Sequence, residues 1–214
     1  MTYAIPSLTR VPAAEKGITI ADFLVPVRLG ERVSPRLRNV MLVITGAVLI
    51  YLTARISIPL PGTPVPVTLQ NLGVLVVGGA LGLRRGGLAA LFYVVLGVVG
   101  LPFFAEGRGG LTVITGSTGG YLVGFVLAGA LVGRLAELGW DRRFGGALGA
   151  TLLGTLVIYL VGVPWLAVTT GMAPGEAIAK GMAPFVALDT VKLLVAAGVF
   201  PAAWWVVGRR PSDR

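Results

Sequence analysis

The sequence predicts an all-α integral membrane protein, a bundle of six transmembrane helices with both ends of the chain in the cytoplasm. Three observations predict it. Only 13% of the 214 residues are charged, about half the share that a water-facing surface carries. The apolar residues, 55% of the chain, gather in six runs near the length that spans a bilayer. The basic residues fall almost entirely on one side of those runs.

The first 37 residues are polar and basic and hold no apolar run, so they read as a cytoplasmic extension with an amphipathic surface helix near 17–30. They offer no hydrophobic core for a cleavable signal peptide. Residues 38–208 form the transmembrane domain and 209–214 a cytoplasmic tail. A span needs about 20 mostly apolar residues. The runs are 38–57, a short one at 68–83, then 86–103, 119–138, 145–170 and 184–207. Pro59, Pro61, Pro64 and Pro66 stop the first run, since proline cannot continue a helix. Gly86 and Gly87, after Arg84 and Arg85, punctuate the second and third. Trp204 and Trp205 stand where an interfacial aromatic belt belongs.

The side of the membrane follows from the charges. Arg10, Lys16, Arg28, Arg32, Arg36 and Arg38 precede the first run, and Arg84 and Arg85 separate the second from the third. Arg134, Arg142 and Arg143 lie at or after the end of the fourth, and Arg209, Arg210 and Arg214 follow the sixth. Six spans put all fourteen on one face, against Arg55, Arg108 and Lys180 on the other. Short loops rich in Lys and Arg stay in the cytoplasm. The net charge of +9 thus reports topology and membrane lipid as the surrounding partner, with no sign of nucleic-acid binding.

The chain has no Cys and no His, which excludes thiol chemistry, disulfides, Cys/His zinc sites and His-dependent triads. No residues point to a catalytic or metal site. Asp189 and Lys192 are the informative pair, about five to nine residues inside the sixth run, roughly 8–13 Å deep at 1.5 Å per residue. Each charge costs about 2.5–3.5 kcal/mol to insert, and i,i+3 spacing lets the two neutralise each other on one face. They form either an ion pair that fixes helix packing or a ligand site open to the external side. The proline-rich loop around Pro61, Pro64 and Pro66 is a stiff linker or a gate over that site. Thr68, Gln70 and Asn71 follow it as uncharged hydrogen-bonding groups, for capping or for a ligand. The second external loop is Gly-rich and can fold back into the bundle, and Arg108 is its fixed positive charge, either solvated or placed for an anion.

Four stretches in order resemble the BioY family. They are Pro64-Val65-Pro66-Val67-Thr68-Leu69-Gln70, Leu96-Gly97-Val98-Val99-Gly100-Leu101-Pro102-Phe103-Phe104-Ala105, Thr115-Gly116-Ser117-Thr118-Gly119-Gly120-Tyr121-Leu122-Val123-Gly124-Phe125, and Leu188-Asp189-Thr190-Val191-Lys192. That family comprises the biotin-capturing S components of energy-coupling factor (ECF) transporters. The resemblance spans about residues 40–207. It implies an S-component-like bundle in a bacterial or archaeal cytoplasmic membrane, an external biotin pocket, and partners in a transmembrane T subunit and a cytoplasmic ATPase pair. No Walker A sequence is present, so ATP hydrolysis would belong to those partners, and biotin would be cargo with no cofactor.

The resemblance implies biotin-binding roles for Asp189, Lys192, Tyr93, Gly119, Gly120, Tyr121, Gln70, Asn71, Thr68 and Arg108. Asp189 would accept from a ureido N–H, Lys192 would donate to a carbonyl or carboxylate, and Tyr93 and Tyr121 would supply aromatic walls. Arg108 or loop N–H groups would take the valeryl carboxylate. Ser117 stands where the family usually has Pro. The small-residue stripe that S components use on the first helix to meet the T subunit is interrupted, with Ile50 between Gly46 and Ala54. An S component for another vitamin or an ion-coupled carrier is the competing reading. An intramembrane protease is disfavoured, since Asp189 is the one carboxylate well inside a predicted span.

Overall fold

The computed structural model describes residues 19–24 and 34–208. Of the segment 17–30, where a surface helix is expected, the described part is residues 19–24, with the short helix α1, Ile20–Leu24, whose Ile20 and Ala21 are buried against the bundle; the remainder, like the tail 209–214, lies outside the described residues. The first long helix, α2, covers Pro35–Ala54. Ser34 caps it by accepting from the Leu37 N–H at 3.3 Å, and Pro35 sits at its first turn, where no N–H is needed. The proline-rich loop is closed by two short antiparallel strands, β1 (Ser57–Ile58) and β2 (Val67–Thr68), with Ser57 opposite Thr68.

Helix α3 runs Gln70–Val98, but it is two limbs folded back on each other. Its Gly82 has φ 86° and ψ 177°, a backbone state essentially confined to glycine. Eight residues of unbroken helix would set Gly78 and Gly86 about 12 Å apart, yet a Cβ added at Gly86 would lie 2.8 Å from the Gly78 Cα. Gln70 likewise hydrogen-bonds Tyr93 from 23 positions away. The chain therefore reverses at Gly82, whereas Gly86 and Gly87, expected as the punctuation, are helical. A close approach of the two limbs needs a residue without a side chain at Gly86. The outward limb ends at Val98, earlier than expected, because Pro102 cannot extend it.

After the second loop, with its one-turn helix α4 (Leu111–Ile114), come α5 (Gly119–Glu137), α6 (Phe144–Thr170), a short α7 (Pro174–Gly181) and α8 (Val186–Gly208). Among the described residues, five helices are long and apolar enough to cross a membrane, the doubled-back α3 counting as one.

The packing is that of a membrane protein. Large apolar side chains point outward, Leu160 at 72% and Val168 at 84% exposure, and so do Val40, Leu49, Leu88 and Val191. The interior is rich in Ala and Gly, packed around large side chains such as Ile50, Leu75, Phe104 and Phe200 and a few polar groups. Apolar side chains gain nothing by leaving lipid for a core, so close backbone approach decides the interior. Gly78 and Gly129 make such an approach, where a Cβ at Gly78 would lie 2.9 Å from the Gly129 Cα. Gly46, Ile50 and Ala54 also face inward, Gly46 against Val77, Leu81 and Ala89. The interrupted stripe on the first helix is therefore interior packing, not a free docking face.

At the arginine-rich end, Asp22 ties α1 to the bundle. Arg85 donates both terminal nitrogens to its carboxylate, at 2.8 and 2.9 Å, Thr19 adds its hydroxyl at 2.8 Å, and Arg38 lies 3.3 Å away. Burial pushes the Asp22 carboxyl upward, but the bonds from Arg85 and Thr19 outweigh it and hold the value below 3.8. A depressed folded value gives stability that is present above the unfolded value and lost as pH falls through the folded one. Thermal unfolding should thus lose stability in the acid range below about pH 4, and Asp22→Asn should lack that component. An identical acid limb in the variant would refute the assignment.

Trp204 departs from the expected interfacial belt. It is buried, donates its indole N–H to Asp141 Oδ2 at 2.6 Å, and lies under the Arg142 guanidinium, 3.3 Å from the ring centroid. Trp205 is the exposed neighbour.

Candidate functional site

The site forms where α3, α5, α6 and α8 converge beneath the two long loops. A cavity of about 690 Å³, its open mouth included, is lined mainly by apolar groups with a few polar ones among them. A mainly apolar lining with a few convergent polar groups is that of a small-molecule pocket.

Its charged wall is the Asp189–Lys192 pair, 6% and 8% exposed. Because α8 begins at Val186, the two sit shallower in the helix than expected, with Asp189 in the first turn. That position suits a carboxylate, since unpaired N–H groups and the helix dipole favour negative charge there. Lys192 Nζ donates to Asp189 Oδ1 at 2.8 Å and to the Thr68 carbonyl at 2.7 Å. Tyr159 donates its hydroxyl to Asp189 Oδ2 at 2.5 Å. Both carboxylate oxygens are thus held and the ammonium keeps one free N–H. The burial of both ions is compensated, as a charge pair in low dielectric requires.

Of the other residues expected at the site, Thr68, Gln70, Asn71, Tyr121, Arg108 and Pro66 line the cavity. Tyr121 also donates to the Gly181 carbonyl at 2.8 Å, which ties α5 to the end of α7. Thr63 donates to the Lys180 carbonyl at 2.8 Å, so the proline-rich loop is fastened to α7 across the mouth. Arg108 is not an unpaired charge: it sits 3.3 Å from Glu106, both half exposed.

Three residues expected to bind the ligand are not in the wall. Tyr93 is fully buried behind it, donating to the Phe103 carbonyl at 3.1 Å and bonded to Gln70, which does face the cavity. Gly120 packs against Trp165, and Gly119 against the Ile114 carbonyl and the Trp165 indole nitrogen, so any Cβ would collide and they serve the contacts of α5 with α6 and α4. Of the loop prolines expected as a gate, Pro66 lines the cavity, and Pro61 and Pro64 belong to the same loop without lining it.

Sequence reasoning missed Tyr159, Thr155, Phe104, Phe125 and Phe185, all lining residues. A signal existed for the first two. Thr151, Thr155 and Tyr159 recur every four residues in an otherwise apolar run, a polar stripe on one helix face. Phe104 is carried in by the Gly-rich loop, which folds back as expected: the Gly110 N–H bonds the Gly97 carbonyl at 2.7 Å. Two buried polar atoms at the cavity, Asn71 Oδ1 and Thr155 Oγ1, have no hydrogen-bond partner among the described residues.

The chain matches the sequence profile of the BioY family over residues 26–209. It is 40% identical over 171 residues to the biotin transporter BioY of Rhodobacter capsulatus, covering 74% of this chain and 88% of that one. With the biotin transporter BioY of Thermotoga maritima it shares 44% over 149 residues, 70% of this chain and 85% of that one. A crystal structure of the S-component for biotin from an ECF-type ABC transporter has the same fold, with a TM-score of 0.72 at 24% identity over 78% of this chain and 90% of that one. The profile match covers all the long helices and the relatives match across the same bundle, and the chain belongs to the BioY family.

Proposed function

We propose that this chain is the biotin-capturing S component of an ECF-type importer in a prokaryotic cytoplasmic membrane, taking biotin from the external side. The observation that carries the reading is the buried Asp189–Lys192 pair in the wall of a largely apolar cavity. Biotin is apolar except at its ureido edge, with two N–H donors and one C=O acceptor, and at its carboxylate. Asp189 has lone pairs left for an N–H and Lys192 has one N–H left for the carbonyl. Asn71 Oδ1 is a second acceptor for the other ureido N–H. Arg108, in the second loop and beside Glu106, lines the cavity and is the cation assigned in this reading to the tail carboxylate.

Six crossings with both ends in the cytoplasm are part of this reading. The reversal at Gly82 and the one-sided basic residues support it. So does the chain's family for its partners, a transmembrane T subunit and a cytoplasmic ATPase pair supplying the ATP hydrolysis, with no cofactor on this subunit. Calorimetric titration of the purified chain with biotin, desthiobiotin, thiamine and riboflavin tests the ligand. Saturable binding of biotin, weaker binding of desthiobiotin and none of the other two is expected. Binding of thiamine or riboflavin in preference to biotin would overturn it.

A further inference from the structure

Thr155 and Tyr159 line the cavity from α6, at i and i+4 on one helix face. Tyr159 is engaged, its hydroxyl donated to Asp189. Thr155 is not. It is 5% exposed, and its Oγ1 has no hydrogen-bond partner among the described residues. Thr151, one turn earlier, does what an intramembrane threonine ordinarily does and donates to the Ala147 carbonyl at 2.9 Å. An unpaired buried hydroxyl is destabilising, so Thr155 carries a cost that valine, of the same shape, would not.

The levels of these groups identify what the hydroxyl meets. Asp141, just before α6, bonds Trp204 near the end of α8, and Tyr159 bonds Asp189 near its start, so the two helices run antiparallel. From Tyr159 toward the Asp141 end, Thr155 lies about 6 Å along α6, and from Asp189 in the same direction Lys192 lies about 4.5 Å along α8. The α-carbons of Thr155 and Lys192 therefore stand at nearly one level of the same cavity, from which the Lys192 ammonium reaches back to Asp189. Lys192 has one N–H unused and Thr155 one O–H unused. A carbonyl oxygen carries two lone pairs.

We infer that Thr155 is a specificity-determining residue whose hydroxyl, beside the remaining N–H of Lys192, donates to one carbonyl oxygen in the polar head of the bound ligand. This rests on the biotin reading, in which that atom is the ureido oxygen. Tyr159 and Asp189 then take the upper, N–H side of the same head.

The test uses the full chain in detergent, its Thr155→Val and Thr155→Ser variants, and calorimetric titration with biotin and with 2-thiobiotin, in which sulfur, a weak acceptor, replaces the ureido oxygen. Thr155→Val should weaken biotin about tenfold and 2-thiobiotin less than about threefold. Thr155→Ser, which keeps the hydroxyl, should stay within about threefold of the parent for biotin. The ligand-free valine variant should melt at the parent temperature or above it, since it removes an unpaired buried hydroxyl. Parent-like biotin binding by the valine variant would overturn the inference. Equal loss in both variants, or equal loss for both ligands, would do the same, because the hydroxyl or the ureido oxygen would then not be the contact. A parent chain that binds no biotin removes the ligand reading and this assignment with it, whereas a binding parent with an unaffected valine variant removes this assignment alone.

Discussion

Lys192→Ala should abolish saturable biotin binding and lower the melting temperature of the ligand-free protein by roughly 10 °C. The stability loss follows from what is left behind. Lys192 is the cation facing the buried Asp189 carboxylate and also fills the Thr68 carbonyl. Removing one partner of a buried ion pair costs about 3–5 kcal/mol, because the other charge stays desolvated and unpaired, and about 1 kcal/mol moves the melting point of a chain this size by roughly 2–4 °C. Loss of binding alone could reflect misfolding, so the double variant Asp189→Asn, Lys192→Met separates the two. It removes both charges at similar volume, which is often close to neutral for stability. Its melting temperature should return to near that of the parent while biotin binding stays absent. Intrinsic tryptophan fluorescence follows the first and calorimetry the second. Binding by Lys192→Ala within about threefold of the parent would refute the assignment of the pair to the ligand.

Gly82→Ala is expected to be strongly destabilising, because strain and collision act there together. At φ 86° and ψ 177° an alanine is strained at once, on the order of 1–3 kcal/mol. The added Cβ would also lie 2.6 Å from Glu137 Oε1 and 2.9 Å from Thr19 Cγ2. Glu137 is not free to move without loss, since Oε1 accepts the Leu83 N–H at 2.9 Å. Thr19 belongs to the Asp22 network that anchors α1. The turn that lets α3 fold back, its cap and the strap across it are disturbed together, and a drop in melting temperature of roughly 5–10 °C should follow. Gly175→Ala, where a Cβ meets nothing, is the matched control and should melt near the parent. Equal melting of both variants would show that the reversal at Gly82 is not under this constraint.

Much of the fold was legible because membrane insertion depends on long averages. A run of Leu and Val announces itself whichever neighbours it meets, and the observed bounds of α5 and α6 lie within a residue or so of those expected. The reversal in α3 was misplaced by a few residues because glycine pairs look alike in one dimension. Gly82 turns the chain, and Gly86 merely lets the returning limb come close. The site was half legible. Asp189, Lys192 and Asn71 stand out in an apolar sequence. Phe104, Phe125 and Phe185 do not, since an aromatic ring in a membrane helix or loop reads the same facing lipid or cavity. Trp204 went astray for the opposite reason: its place near a helix end matches an interfacial anchor, and only the three-dimensional meeting with Asp141 and Arg142 turns it inward.

The bond from Lys192 to the Thr68 carbonyl bears on how long a captured molecule stays. Thr68 ends the strand that closes the proline-rich loop, and the same loop is fastened at its far side through Thr63 to Lys180. Swinging that loop aside breaks a charge-assisted hydrogen bond made by the very ammonium that faces the cavity. Departure of the occupant then shares a barrier with loop opening, and every 1.4 kcal/mol in that barrier lengthens the residence time about tenfold. Slow release, more than fast capture, is what this wiring favours.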